Sequence, residues 1–116
     1  VHQVSVSTLS GDYLDKVKAG ERFVQQQPEL KFTAEVDRVY LDTADELTLR
    51  QEKKAVLITQ QGHDASVLWN PWTEKAAALK DLPDLGYLDF VCVETARLSL
   101  TNTAPLQLVQ QIRYLG

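Results

Sequence analysis

Apolar and polar residues alternate with a period of two along most of the chain, the signature of half-buried β-strands. In the opening segment, Val1–Thr8, Val4 and Val6 alternate against Gln3, Ser5 and Ser7. Ser10-Gly11-Asp12 reads as a tight turn, and Asp12–Val17 is a possible short strand. Lys18-Ala19-Gly20-Glu21 turns the chain again, into Arg22–Gln25. Gln26–Glu35 is polar and irregular, and Pro28 breaks any helix there. Strand patterns then recur at Asp37–Leu41, around Leu47 and Leu49, at Lys53–Gln60 and at Ser66–Trp69. Tyr87–Leu98 is the longest and most apolar of them, and its uninterrupted run Phe90–Val93 predicts cover on both faces. After Ala104-Pro105, Leu106, Leu108, Ile112 and Tyr114 fit a final strand, with Gln107, Gln111 and Arg113 outside. One segment breaks the pattern. Trp72–Asp81 is rich in Ala, Lys, Glu and Leu and predicts one short helix, started by Thr73 or Asn70-Pro71 and ended by Pro83 and Gly86. Eight or so short strands with frequent turns predict an all-β, antiparallel sandwich or barrel.

Composition adds bounds to this picture. A chain of 116 residues makes one domain with a modest core. The net charge of −4, without a basic stripe or tail, argues against nucleic-acid partners and polybasic membrane contact. No apolar run approaches the ~20 residues of a membrane span, and no segment has the layout of a signal peptide. The one cysteine, Cys92, lies in an apolar run, so the expected location is a reducing cytoplasm and the expected role is that of a small hydrophobe. A nucleophilic role is the alternative. The chain contains no methionine and opens directly in a strand pattern, which leads us to expect a portion of a longer protein.

Glu94 is the residue whose placement is hardest to explain by packing. By parity it shares a strand face with Phe90 and Cys92, where a carboxylate loses hydration and becomes a better proton acceptor. The structural alternative is a buried ion pair with Arg97 or Arg38. Asp37 follows a polar loop and opens a strand, a position where side chains meet ligands or simply start a turn. In Trp69-Asn70-Pro71-Trp72, an indole can stack on a sugar face and an amide can bond hydroxyls. Plain packing of Trp69 and Trp72, with Asn70 fixing the turn, accounts for the same residues equally well. His2 and His63 have no partners at metal-ligand spacing, so no metal is expected.

Three stretches taken together resemble one family. Val36-Asp37-Arg38-Val39-Tyr40, Trp69-Asn70-Pro71-Trp72 and Phe90-Val91-Cys92-Val93-Glu94-Thr95-Ala96 match, in order and spacing, motifs of the hexose-6-phosphate mutarotases, a branch of the aldose 1-epimerases. The resemblance implies a galactose-mutarotase-like β-supersandwich of which residues 1–116 are the C-terminal portion. It implies that Glu94 removes the proton from the anomeric hydroxyl of a phosphorylated hexose. Asp37, Asn70 and Trp69 would contact the sugar, and no cofactor would take part. The acid histidine and the phosphate-holding arginines would come from the missing N-terminal part of the same domain. Neither His2 nor His63 matches the acid motif. Two alternatives stay open: an aldose 1-epimerase acting on free sugars, and a non-catalytic carbohydrate-binding sandwich.

Overall fold

A computed structural model describes residues 4–7, 9, 11–99 and 106–116. Among these residues ten strands form two five-stranded sheets in which every paired strand is antiparallel. The first sheet holds β1 (Val4–Ser7), β4 (Glu29–Lys31), β6 (Glu46–Gln51), β7 (Lys54–Gln61) and β10 (Val109–Tyr114), in the order β10-β7-β6-β1-β4. The second holds β2 (Asp12–Asp15), β3 (Glu21–Val24), β5 (Val36–Leu41), β8 (Ala65–Asn70) and β9 (Cys92–Ala96), in the order β3-β2-β5-β8-β9. Among the described residues one α-helix, α1, spans Trp72–Ala78. The all-β class and the antiparallel sandwich expected from the period-two pattern are therefore what the chain adopts.

The core lies between the sheets. Val6, Leu30, Leu47 and Ile58 from the first sheet meet Tyr13, Val36, Tyr40 and Leu68 from the second, with Leu9 and Phe32 closing the cluster. Tyr13 and Tyr40 pack ring to ring at 5.0 Å between centroids. Burying side chains of this size supplies roughly 1.5–3 kcal/mol each against the exposed state, which is why one face of each strand is apolar.

Three expectations about the elements need correction. Gln26–Glu35 is not irregular throughout: β4 pairs with β1 through Val6↔Leu30. Leu30 and Phe32 are both buried, and this local alternation outweighs the polar surroundings and Pro28. The helix is shorter than Trp72–Asp81. Leu79 turns extended (φ −83°, ψ 121°), and its N–H closes the last turn on Lys75 and Ala76 carbonyls. The stretch Tyr87–Leu98 is not one long strand covered on both faces. Gly86–Asp89 forms a 3-10 turn and β9 begins only at Cys92. β9 is an edge strand, with Val91 and Val93 packed on the core and Glu94 exposed.

The final strand differs in extent and in burial: it begins at Val109, so Leu106 and Leu108 lie outside it. Gln110, Ile112 and Tyr114 pair with Gln60, Ile58 and Val56. Yet Ile112 and Tyr114 remain 69% and 63% exposed, because β10 is an edge strand in its sheet.

Candidate active site

Strand register decides which side chains meet. Directly paired residues of antiparallel neighbours project from the same face. Asp37 pairs with Trp69, and Trp69 with Cys92, giving one row across β5, β8 and β9. Leu14, Val39, Val67 and Glu94 form the next row. Asp37, Trp69 and Glu94 thus stand on one face of the second sheet, the face turned away from the sandwich core. Two strand spacings and two residues of rise put the Cα atoms of Asp37 and Glu94 about 12 Å apart. Trp69 lies between the strands that carry them.

Asn70 is placed differently. It follows Trp69 in β8, so its side chain points to the opposite, core-side face. It is fully buried. Its Nδ2 donates to the carbonyls of Tyr87 (2.9 Å) and Phe90 (2.8 Å), and its Oδ1 accepts from the Trp72 N–H (2.9 Å). All of these bonds go to backbone. In this structure Asn70 is an anchor for the α1 start and the Tyr87–Phe90 segment, not a group presented beside Trp69. The Trp72 N–H it receives belongs to a residue with φ +59°, a left-handed conformation that is costly for a side chain of this size.

Through that anchor Asn70 also shapes the exposed face. Phe90 packs against Trp69 with ring centroids 5.7 Å apart, so the two rings make a joint aromatic floor. Trp72 turns the other way and packs on Tyr87 at 5.1 Å. Of the two tryptophans, Trp69 is the one on the carboxylate face.

Charges around the site are unevenly distributed. Lys75 on α1 forms an ion pair with Glu35, whose hydrogen bond raises the ammonium pKa, and the nearby Asp37 charge adds to this. Cys92 is half-buried. Burial, and then the adjacent Glu94 charge, push its thiol pKa up, so it stays protonated at neutral pH, contrary to what a nucleophile needs.

Neither arginine named from the sequence pairs with Glu94. Arg38 lies on the core side, stacks over Tyr13 at 4.4 Å and donates to Tyr40 Oη at 3.0 Å. Arg97 donates to the Ser99 carbonyl at 2.7 Å and lies 3.8 Å from Asp64. The expectation of a buried Glu94 is corrected: it is exposed, because β9 is an edge strand and this face points away from the core.

Sequence reasoning passed over Gln60, although it follows Val56 and Ile58 at core parity. It is almost completely buried, and its Oε1 accepts from Ser66 Oγ (2.8 Å) and Thr95 Oγ1 (2.9 Å). His63 Nε2 lies 2.9 and 3.2 Å from the carbonyls of Thr43 and Ala44. Among the described residues no three His, Cys, Asp or Glu side chains gather as a metal site. No helix there is long and apolar enough to cross a membrane.

Fold and site together define an antiparallel sandwich with an aromatic floor flanked by carboxylates on one sheet face. A profile of the family described as Aldose 1-epimerase matches residues 2–105. Over 87 residues the chain is 41% identical to a "Putative glucose-6-phosphate 1-epimerase" of Cenchrus ciliaris, spanning 73% of this chain and 26% of that protein. A protein of the same name from Escherichia coli (strain K12) is 35% identical over 119 residues, spanning 97% of this chain and 40% of that protein. The solved structure of a "putative mutarotase (YeaD) from Salmonella typhimurium" superposes with a TM-score of 0.89 at 29% identity, covering 97% of this chain and 40% of that one. The chain belongs to the aldose 1-epimerase family. It spans between about a quarter and two fifths of the length of these relatives.

Proposed function

We propose that the protein carrying this chain interconverts the α and β anomers of a hexose 6-phosphate, with Glu94 as the base. The observation that carries this reading is the shared face. Asp37, Trp69 and Glu94, from three separate motifs, stand together on adjacent strands. A hexose lying over Trp69 and Phe90 would set its apolar face on the rings. Asp37 would accept hydrogen bonds from ring hydroxyls, and Glu94 would face the anomeric carbon.

In the proposed reaction the Glu94 carboxylate takes the proton from the anomeric hydroxyl. The electron pair of that O–H bond forms the C1 carbonyl while the C1–O5 bond breaks. O5 takes a proton from an acid outside residues 1–116. Rotation about C1–C2 presents the other carbonyl face, and the steps reverse. No bond is made to the enzyme, so the requirement is for two proton carriers and a held sugar. Asn70 acts in this reading by positioning the Phe90 segment rather than by touching sugar.

The acid, the phosphate-binding groups and the cover over this face would come from the rest of the same domain. By resemblance to the family, the first two are expected upstream. Arg38 and Arg97 make other contacts, which leaves free hexose as a second reading of the substrate. Anomer exchange measured by NMR on the protein carrying this chain, with glucose 6-phosphate and with glucose, separates the two. Faster exchange of the phosphorylated sugar is expected. Equal rates would remove the phosphate from the proposal, and no exchange of either sugar would leave only the binding module.

A further inference from the structure

Two glutamines of the first sheet reach across the core to grip the strand that carries Glu94. Gln60 on β7 and Gln110 on β10 are register partners. Gln60 Oε1 accepts from Thr95 Oγ1 on β9 and Ser66 Oγ on β8, while its Nε2 donates to the Ala44 carbonyl at 3.1 Å. Gln110 Nε2 donates to Thr95 Oγ1 and to the Val93 carbonyl, both at 3.1 Å. With the Ser66 proton spent on Gln60, Thr43 Oγ1 is the donor in its 2.7 Å contact with Ser66 Oγ. The chain of donors is therefore directional: Thr43 to Ser66 to Gln60, and Gln110 to Thr95 to Gln60.

We propose that Gln60 and Gln110, acting through Thr95, are positioning residues for the mutarotase reaction. This rests on the reading of Glu94 as the base. Among the described residues β9 is an edge strand with a ladder to β8 only, and an edge strand has one neighbour fewer to hold it. Adjacent residues of a strand point to opposite faces. Tying Thr95 to the core side therefore fixes Glu94 on the side of Asp37 and Trp69. The Val93 carbonyl is held from the open edge at the same time. A buried glutamine is costly unless its amide is bonded, and Gln60's partners lie on β8, on β9 and in the β5–β6 connection.

The test replaces Thr95 in the protein carrying this chain. Thr95→Val keeps the shape and removes the hydroxyl. It should lower kcat by roughly 10- to 100-fold through displacement of Glu94, with KM within about threefold. Amide exchange along β9 should quicken. Thr95→Ser keeps the hydroxyl and should restore kcat to within about threefold of the parent. Should Thr95→Val fail to fold, Gln110→Ala, an exposed substitution, removes two of the bonds and should give a smaller fall in kcat with the same quickening of β9 exchange. Unchanged kcat in a folded variant would overturn the positioning role, whether or not β9 exchange quickens. Unaltered turnover in Glu94→Gln would instead sink the base assignment, while β9 exchange in Thr95→Val would still report on the clamp.

Discussion

Replacing Asn70 with alanine removes three hydrogen bonds at once and separates two roles for this residue. The Tyr87 and Phe90 carbonyls lose their donor, and the Trp72 N–H loses its acceptor. A group left unsatisfied in a buried site costs about 1–3 kcal/mol. Water can enter the vacated space, so the low end applies, or about 3 kcal/mol for the three. Release of the left-handed backbone at Trp72 returns roughly 1 kcal/mol. The net expectation is a loss of about 2 kcal/mol in unfolding free energy, read from urea denaturation of the protein carrying this chain. Asn70→Asp should be worse than alanine at neutral pH, because a carboxylate oxygen would then face two carbonyls. A loss below about 0.5 kcal/mol in Asn70→Ala, together with a weaker apparent sugar affinity, would refute this account. It would return Asn70 to direct sugar contact.

Two further substitutions probe the loops around the site. Asp64 accepts the Leu98 and Ser99 N–H groups at 2.7 and 2.9 Å, and the first of these bonds most strongly holds its pKa below the ordinary 3.8. A depressed folded pKa contributes stability above the unfolded value and loses it as pH falls through the folded one. Urea midpoints should therefore decline below about pH 4, and Asp64→Asn should flatten that decline. Gly62→Ala should destabilise by about 2–4 kcal/mol in the same assay, since φ is +79° and a Cβ would sit 2.0 Å from the Gln107 carbonyl oxygen.

Much of the fold was legible because half-buried antiparallel strands write their period directly into the chain. Asp37–Leu41, Lys53–Gln60 and Ser66–Trp69 lie within a residue or two of β5, β7 and β8. What the pattern does not carry is pairing. That β1 lies between β6 and β4, and that β8 separates Asp37 from Glu94, depends on contacts distant in sequence. The apolar run Phe90–Val93 misled because its residues serve different neighbours. Phe90 packs on Trp69, whereas Val91 and Val93 pack on the core. The opposite orientation of Trp69 and Asn70 was available from strand parity alone. The clamp was not, although a glutamine at the core parity of Val56 and Ile58 was its one visible sign.

The central claim is that Glu94 removes the anomeric proton. The most direct measurement is magnetisation-transfer NMR of glucose 6-phosphate anomers with the protein carrying this chain, comparing the parent with Glu94→Gln. Glutamine keeps the shape of an exposed side chain and cannot accept the proton as a carboxylate does. The exchange rate should fall roughly 10²–10⁴-fold with the urea midpoint unchanged. Exchange within a few-fold of the parent, in a variant of equal stability, would contradict it.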